Sequence, residues 1–351
     1  MININVKEFL INEKATMLEA MALLDEVAKK ILFVEREGQF VAAITDGDIR
    51  RWILQKGNLD AKVQDIANYE PKFIYEKDKA IAREKMKELS VEALPVLSEN
   101  NDLISVVLWN DEVRKKSKLN IPVVMMAGGY GTRLYPYTRI LPKPLIPIGD
   151  VPIAEHIINR FFDMGSEEFH LIVNHKKNMI KAYFNEFERG YKVFYADEEE
   201  PLGTGGGLSL LKGKIDSTFV LTNCDILIEE DYEKIYNYHR QEKNLITMVC
   251  SLKNIKIPYG VIEIGDRGEI EEMKEKPEFS FFTNTGMYIV EPEVIDELKT
   301  NQSIGFPDII EKYQQNGEKI GVFPISENAW MDMGQVDEME KMRERLEKNG
   351  S

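Results

Sequence analysis

A chain of 351 residues has room for two domains, and a hydrophobic content of 43% can bury a substantial core. With 45 Lys and Arg against 60 Asp and Glu, it lacks the broad basic face that nucleic acid or a membrane surface requires, though a few bases can still serve a small anionic substrate. No apolar run reaches the ~18 residues needed to span a bilayer, and Met1–Lys14 mixes acids and bases unlike a signal peptide, so a soluble, cytoplasmic protein is expected.

The first part of the chain, to about residue 118, carries a unit repeated with a period of about 63 residues. In the first copy the periodicity predicts a helix over 16–29, strands over 31–35 and 39–45, and a helix over 46–55. In the second it predicts a helix over 79–90, strands over 93–97 and 102–108, and a short helix near Asn110. Val41-Ala42-Ala43-Ile44-Thr45-Asp46-Gly47-Asp48-Ile49-Arg50-Arg51 resembles a CBS domain, so 1–118 resembles a tandem CBS pair, with copies over about 1–60 and 61–118. That resemblance implies a regulatory adenine nucleotide, its phosphate and ribose held by Thr45 and Asp48, or a module serving only for dimerisation. Both residues read equally well as the cap and first-turn acid of a helix. The second copy has Leu108 in place of the Thr, which puts one of the two nucleotide sites in doubt. The basic, polar stretch Arg114–Asn120 is expected to link this part to the rest.

From residue 119 to the end, strand-like runs (122–127, 169–174, 192–196, 218–223, 245–251) alternate with helix-like ones (153–164, 178–188, 205–211, 231–241). Such alternation predicts an α/β fold, Rossmann-like, with a mostly parallel sheet whose ligands bind beyond the strand C-termini. Residues 259–273, turning at Gly265-Asp266-Arg267-Gly268, read as a hairpin added to that sheet. Cys224 and Cys250 fall in apolar strand-like runs and read as buried free thiols. The four histidines, His156, His170, His175 and His239, show no metal-ligand spacing, and His156 reads as structural.

The first strand of this part runs into Gly128-Gly129-Tyr130-Gly131-Thr132-Arg133-Leu134. Glycines let backbone N–H groups approach phosphate oxygens. The loop is neither a Walker loop, since no Gly-Lys-Ser/Thr follows, nor a dinucleotide fingerprint, since Leu134 replaces the third Gly. Arg133 offers a fork to pyrophosphate, and Lys143, in Pro142-Lys143-Pro144-Leu145, adds a point charge.

These strings, with Pro136 and Thr138, closely resemble the signature of the sugar-1-phosphate nucleotidyltransferases, and the likeness extends to about residue 335. The resemblance implies a Mg²⁺-dependent enzyme joining a nucleotide to a sugar 1-phosphate. It places the nucleotide on Ala127, Gly128, Gly129, Gly131, Thr132 and Gly203, and assigns catalysis at the α-phosphorus to Arg133 and Lys143. It makes Asp225 and Asp332 the metal ligands; two carboxylates suffice for Mg²⁺, which takes the rest of its shell from phosphate and water. It lines the sugar phosphate with Gly260, Glu275, Lys276 and Asn284. Glu198-Glu199-Glu200 precedes Pro201-Leu202-Gly203-Thr204, a string similar to guanylyltransferases of the mannose- and heptose-phosphate type. A carboxylate there, Glu198 or Glu200, can accept from guanine N1–H and N2–H₂ but repels the uracil carbonyls. GTP is therefore favoured, with a uridylyl- or thymidylyltransferase as the alternative and a non-catalytic sensor as a second. Glucosamine 1-phosphate is the favoured sugar, because resembling enzymes with a fused CBS pair occur in legionaminic acid pathways; mannose and heptose 1-phosphates are the other candidates. A homodimer or higher oligomer is expected. A charged helical tail over 337–348 follows the Asp332 loop directly, so one reaction is expected, not two.

Overall fold

In a computed structural model the described residues are 6–27, 31–56, 58, 60–89, 91, 93–99, 102–108, 119–186 and 189–349. The chain forms two compact units, Met1–Arg114 and Lys115–Ser351. Residues 114–118 of the expected linker and the expected helix near Asn110 lie outside the described residues.

Among its described residues the first unit contains two three-stranded sheets of one topology. Leu10–Asn12 lies parallel to Ile31–Arg36, which turns back on Gln39–Thr45. In the second sheet Ile74–Tyr75 lies parallel to Ala93–Leu97, which turns back on Leu103–Leu108. The helix Met17–Glu26 starts where the sequence supplies a cap: Thr16 accepts from the Glu19 amide, and Glu19 accepts from the Thr16 amide. The segment around Ala61–Asn68 joins the first sheet's side of the repeat, with Val63 donating to Ala15 O and Ala43 to Asn68 O.

The second unit is built on seven strands: β1 Val123–Met126, β2 Glu168–Val173, β3 Lys192–Asp197, β4 Phe219–Asn223, β5 Ile246–Lys256, β6 Glu278–Val290 and β7 Ile320–Ile325. Their order is β3-β2-β1-β4-β6-β5-β7. All run parallel except β6, which is antiparallel to both neighbours. The strands nearest the centre are apolar on both sides because both faces are covered. Val123, Met125, Phe169 and Leu171 enter one core with the helix Ile153–Asp163, while Val124, Ile172 and Leu221 enter another with Leu208 and Phe306. The α/β architecture with a mostly parallel sheet is thus as the alternation predicts. Two details differ. The hairpin Val261–Ile264/Ile270–Lys274 is a separate two-stranded sheet, not an addition to the large one. The large sheet instead takes in β6, inserted between β4 and β5, and β7 at its edge beyond β5, two strands that the expected alternation does not name.

Candidate active site

The buried strand β1 delivers Ala127 and the glycine loop at its C-terminal end, where parallel sheets of this kind open to ligands. Two of the glycines are required by their surroundings. A Cβ on Gly128 would stand 2.7 Å from Glu198 Oε2, and one on Gly131 only 2.8 Å from Thr138 Cγ2. Gly131 also has a left-handed backbone, φ +66°, that L side chains disfavour. Gly129 has open space where a side chain would stand. Thr132 and Arg133 sit on a single 3₁₀ turn, Thr132–Leu134, anchored by the buried Leu134 and leaving Arg133 exposed.

Lys143 opens the next turn, Lys143–Leu145, between two prolines. Its ammonium is paired with Asp225 Oδ2, both side chains being largely buried. Asp225 lies just beyond the end of β4. Asp332 is brought beside it by a short antiparallel pairing of Ile226–Ile228 with Trp330–Asp332, in which Ile226 faces Asp332, and by the Met333 amide donating 2.8 Å to Asp225 O. Burial pushes the Asp332 carboxyl above the usual range and the neighbouring Asp225 adds to this, with Lys143 and Arg133 pulling the other way. A Cβ on Gly334 would lie 3.1 Å from Asp332 Oδ2 and 3.3 Å from Arg133 Nη1, so the guanidinium and this carboxylate border the same space. Arg133, Lys143, Asp225 and Asp332 therefore form one cluster. Two carboxylates with two bases beside a glycine loop fit a Mg²⁺ that takes its remaining ligands from phosphates and water. Among the described residues no group of three or more acids, histidines or cysteines forms a protein-only metal cage.

Glu198 follows β3 and is buried, whereas Glu199 and Glu200 are exposed. Its Oε1 stands 2.7 Å from where a Gly207 Cβ would be and has no hydrogen-bond partner. Burial raises its carboxyl above the usual range, opposed by the Leu202 amide. Gly203, with φ +76°, packs against the Ile304 carbonyl. Asn284 donates to the Tyr288 hydroxyl and accepts from the Gly286 amide, and Gly286 abuts Asn223 at the end of β4. Gly260, Glu275 and Lys276 form their own group at the foot of the hairpin: Glu275 Oε2 lies 3.0 Å from a Gly260 Cβ position, and the Lys276 amide donates to Tyr259 O. No hydrogen bond or ion pair among the described residues joins that group to Asp225 or Lys143.

In the first unit Thr45 and Asp48 bond to each other. Asp48 Oδ2 accepts from the Thr45 amide and hydroxyl, Thr45 Oγ1 accepts from the Asp48 amide, and Arg51 donates to Asp48 Oδ1. The pair caps the helix Asp46–Lys56.

A family model described as nucleotidyl transferase matches residues 122–349. The chain belongs to that family. Among its relatives, the mannose-1-phosphate guanyltransferase of Saccharomyces cerevisiae is 33% identical over 225 residues, covering 60% of this chain and 61% of that protein. The bifunctional protein GlmU of Methanococcus maripaludis is 32% identical over 222 residues, 60% of this chain and 51% of its own length. The chain thus spans about six tenths or less of these relatives. The structure of HddC from Yersinia pseudotuberculosis complexed with GMP-PN shares the fold, with a TM-score of 0.51 and 23% identity over 64% of this chain and 99% of that one.

For this nucleotidyl transferase, sequence reasoning singled out the glycine loop, the two bases and the two acids, but passed over Asn174 and Lys176. Asn174 donates to Glu198 O and crowds Gly128, while Lys176 donates to the carbonyls of Thr138 and Arg139. The only signal was position, directly after β2. Three of the four histidines make structural contacts: His156 meets Ile148 O, His170 meets Glu168, and the buried His239 meets Thr247 and Glu291.

Proposed function

We propose that residues 119–351 transfer GMP from GTP to a sugar 1-phosphate, forming a GDP-sugar and releasing pyrophosphate. The observation that carries this reading is the convergence of Arg133, Lys143, Asp225 and Asp332 beside the glycine loop. A phosphate oxygen of the sugar 1-phosphate attacks the α-phosphorus, the bond from that phosphorus to the β-phosphate bridging oxygen breaks, and pyrophosphate leaves in line. The attacking oxygen is already anionic near neutral pH, so no general base is needed; positioning and charge neutralisation carry the rate. Arg133 and Lys143 balance charge on the triphosphate. Asp225 and Asp332 would hold Mg²⁺, which would supply positive charge to neutralise the phosphates. Gly260, Glu275, Lys276 and Asn284 are assigned to the sugar phosphate by family position.

Asp225→Asn should retain the fold and lose roughly 10²–10³ in kcat at saturating Mg²⁺. Pyrophosphate release near the wild-type rate from that variant overturns the metal assignment.

Glu198 rather than Glu200 is the proposed reader of the base. It is buried against the loop with an oxygen lacking a donor, and guanine N1–H and N2–H₂ would supply donors. The guanyltransferases among the relatives and the GMP-PN bound by HddC support the same base. A panel of nucleoside triphosphates against glucosamine, mannose and heptose 1-phosphates, read as pyrophosphate, tests base and sugar together. Preference for UTP or dTTP overturns the guanine reading; silence across the panel favours the sensor.

For residues 1–118 we infer a CBS-like pair. Both oxygens of Asp48 are engaged within the helix cap, so an adenine nucleotide at Thr45 and Asp48 would have to displace Arg51 or share the cap. AMP added to the full chain tests this by thermal shift: a shift abolished in Asp48→Ala supports the nucleotide site, and no shift leaves the pair its capping role.

A further inference from the structure

We infer that Lys176 is a positioning residue that holds the nucleotide cradle in shape, an inference resting on the reading of the 128–143 loop as that cradle. Three consecutive residues after β2 grip the loop. Asn174 crowds Gly128 at 3.2 Å from its Cβ position, the His175 amide donates to Gly128 O with its ring centroid 4.9 Å from that of Tyr130, and Lys176 reaches further along. The Lys176 ammonium donates 2.7 Å to Thr138 O and 2.7 Å to Arg139 O. Those carbonyls belong to the short helix Tyr137–Ile140, which follows the turn that carries Arg133. Thr138 in turn donates to Gly131 O, and its methyl group and Lys143 Cβ flank Gly131. A chain of contacts therefore runs from Lys176 through Thr138 and Gly131 to the neighbourhood of both bases.

The charge on Lys176 is used on two main-chain carbonyls, so both bonds are charge-assisted and tie it to the backbone of the short helix. Its backbone is left-handed, φ +51°, a conformation that costs energy in a lysine. Nothing in the reaction needs this ammonium to touch substrate. Its effect falls on where the neighbouring donors stand, and small misplacements of such donors cost catalysis steeply.

The test is steady-state kinetics on full-length Lys176→Met and Lys176→Arg, with nucleotide binding by calorimetry and melting by circular dichroism. Lys176→Met should lower kcat/KM for the nucleotide by roughly 10–100-fold, leave KM for the sugar 1-phosphate within experimental error, and keep the wild-type fold. Lys176→Arg, which can still reach two carbonyls, should recover most of the loss. Unchanged nucleotide kinetics in Lys176→Met overturn the assignment, as does a loss that affects both substrates equally and that arginine does not rescue. If the wild type binds a nucleoside triphosphate but turns over no sugar phosphate, the transferase reading fails, and the change in nucleotide Kd between wild type and Lys176→Met still decides the role of the lysine.

Discussion

Glu198 and Glu200 differ by two positions in the chain and entirely in surroundings. The former is buried against two glycines and the latter is exposed. A carboxyl whose proton affinity is raised by burial favours the folded state in acid, and that contribution is lost as pH rises through its folded pKa. At pH 8, therefore, the ionised Glu198 weakens the fold. Glu198→Gln should melt higher than wild type at pH 8, and the gain should vanish towards pH 4 in a thermal scan. The same variant should lose roughly tenfold or more in kcat/KM for GTP and discriminate less between GTP and ITP, because a charge-assisted pair is replaced by an amide. A stabilised variant with undiminished GTP preference would detach Glu198 from base reading.

The helix Tyr232–Glu242 is tied to the sheet through His239, which is fully buried and meets Thr247 of β5 and Glu291 just past β6. Desolvation depresses its basicity below the ordinary 6.5, with Glu291 opposing. A depressed histidine contributes stability at pH values above its unfolded pKa and loses it as pH falls through the folded one. Wild type should lose melting temperature on acidification below about pH 6.5, and His239→Gln should show a flatter profile there. The C-terminal helix Val336–Asn349 is held by the buried Met339 and Met342 and by Arg345, which pairs with Glu229 and donates to Asn328 O. Met342→Ala should cost about 2–5 kcal/mol in urea unfolding of the second unit while leaving kcat of the folded enzyme unchanged. Elements with strong local periodicity, such as Ile153–Asp163, were legible within a residue or two. The strand β6 was not, because what makes it a strand is pairing with β4 and β5 on either side.

Every residue assigned here to transfer belongs to the second unit, Lys115–Ser351, as do the described residues of the core around the site, from Leu119 onward. Residues 119–351 expressed alone should fold by circular dichroism and release pyrophosphate at a rate comparable with the full chain; an inactive fragment would make the first unit part of the machinery. The sequence by itself determined the chemistry available: a glycine loop, Arg133 and Lys143 at short spacing, and a strand–helix alternation that points ligands to the C-terminal ends of the strands. Local order reveals these because backbone periodicity and turn chemistry act over a few residues. The family resemblance implied that Asp332 stands with Asp225, but only the tertiary structure decided which strand pairing brings them together, that Glu198 is the buried acid of its run, and that Lys176 braces the loop. Each depends on strands distant in the chain pairing or packing, and through-space proximity leaves no period in the sequence.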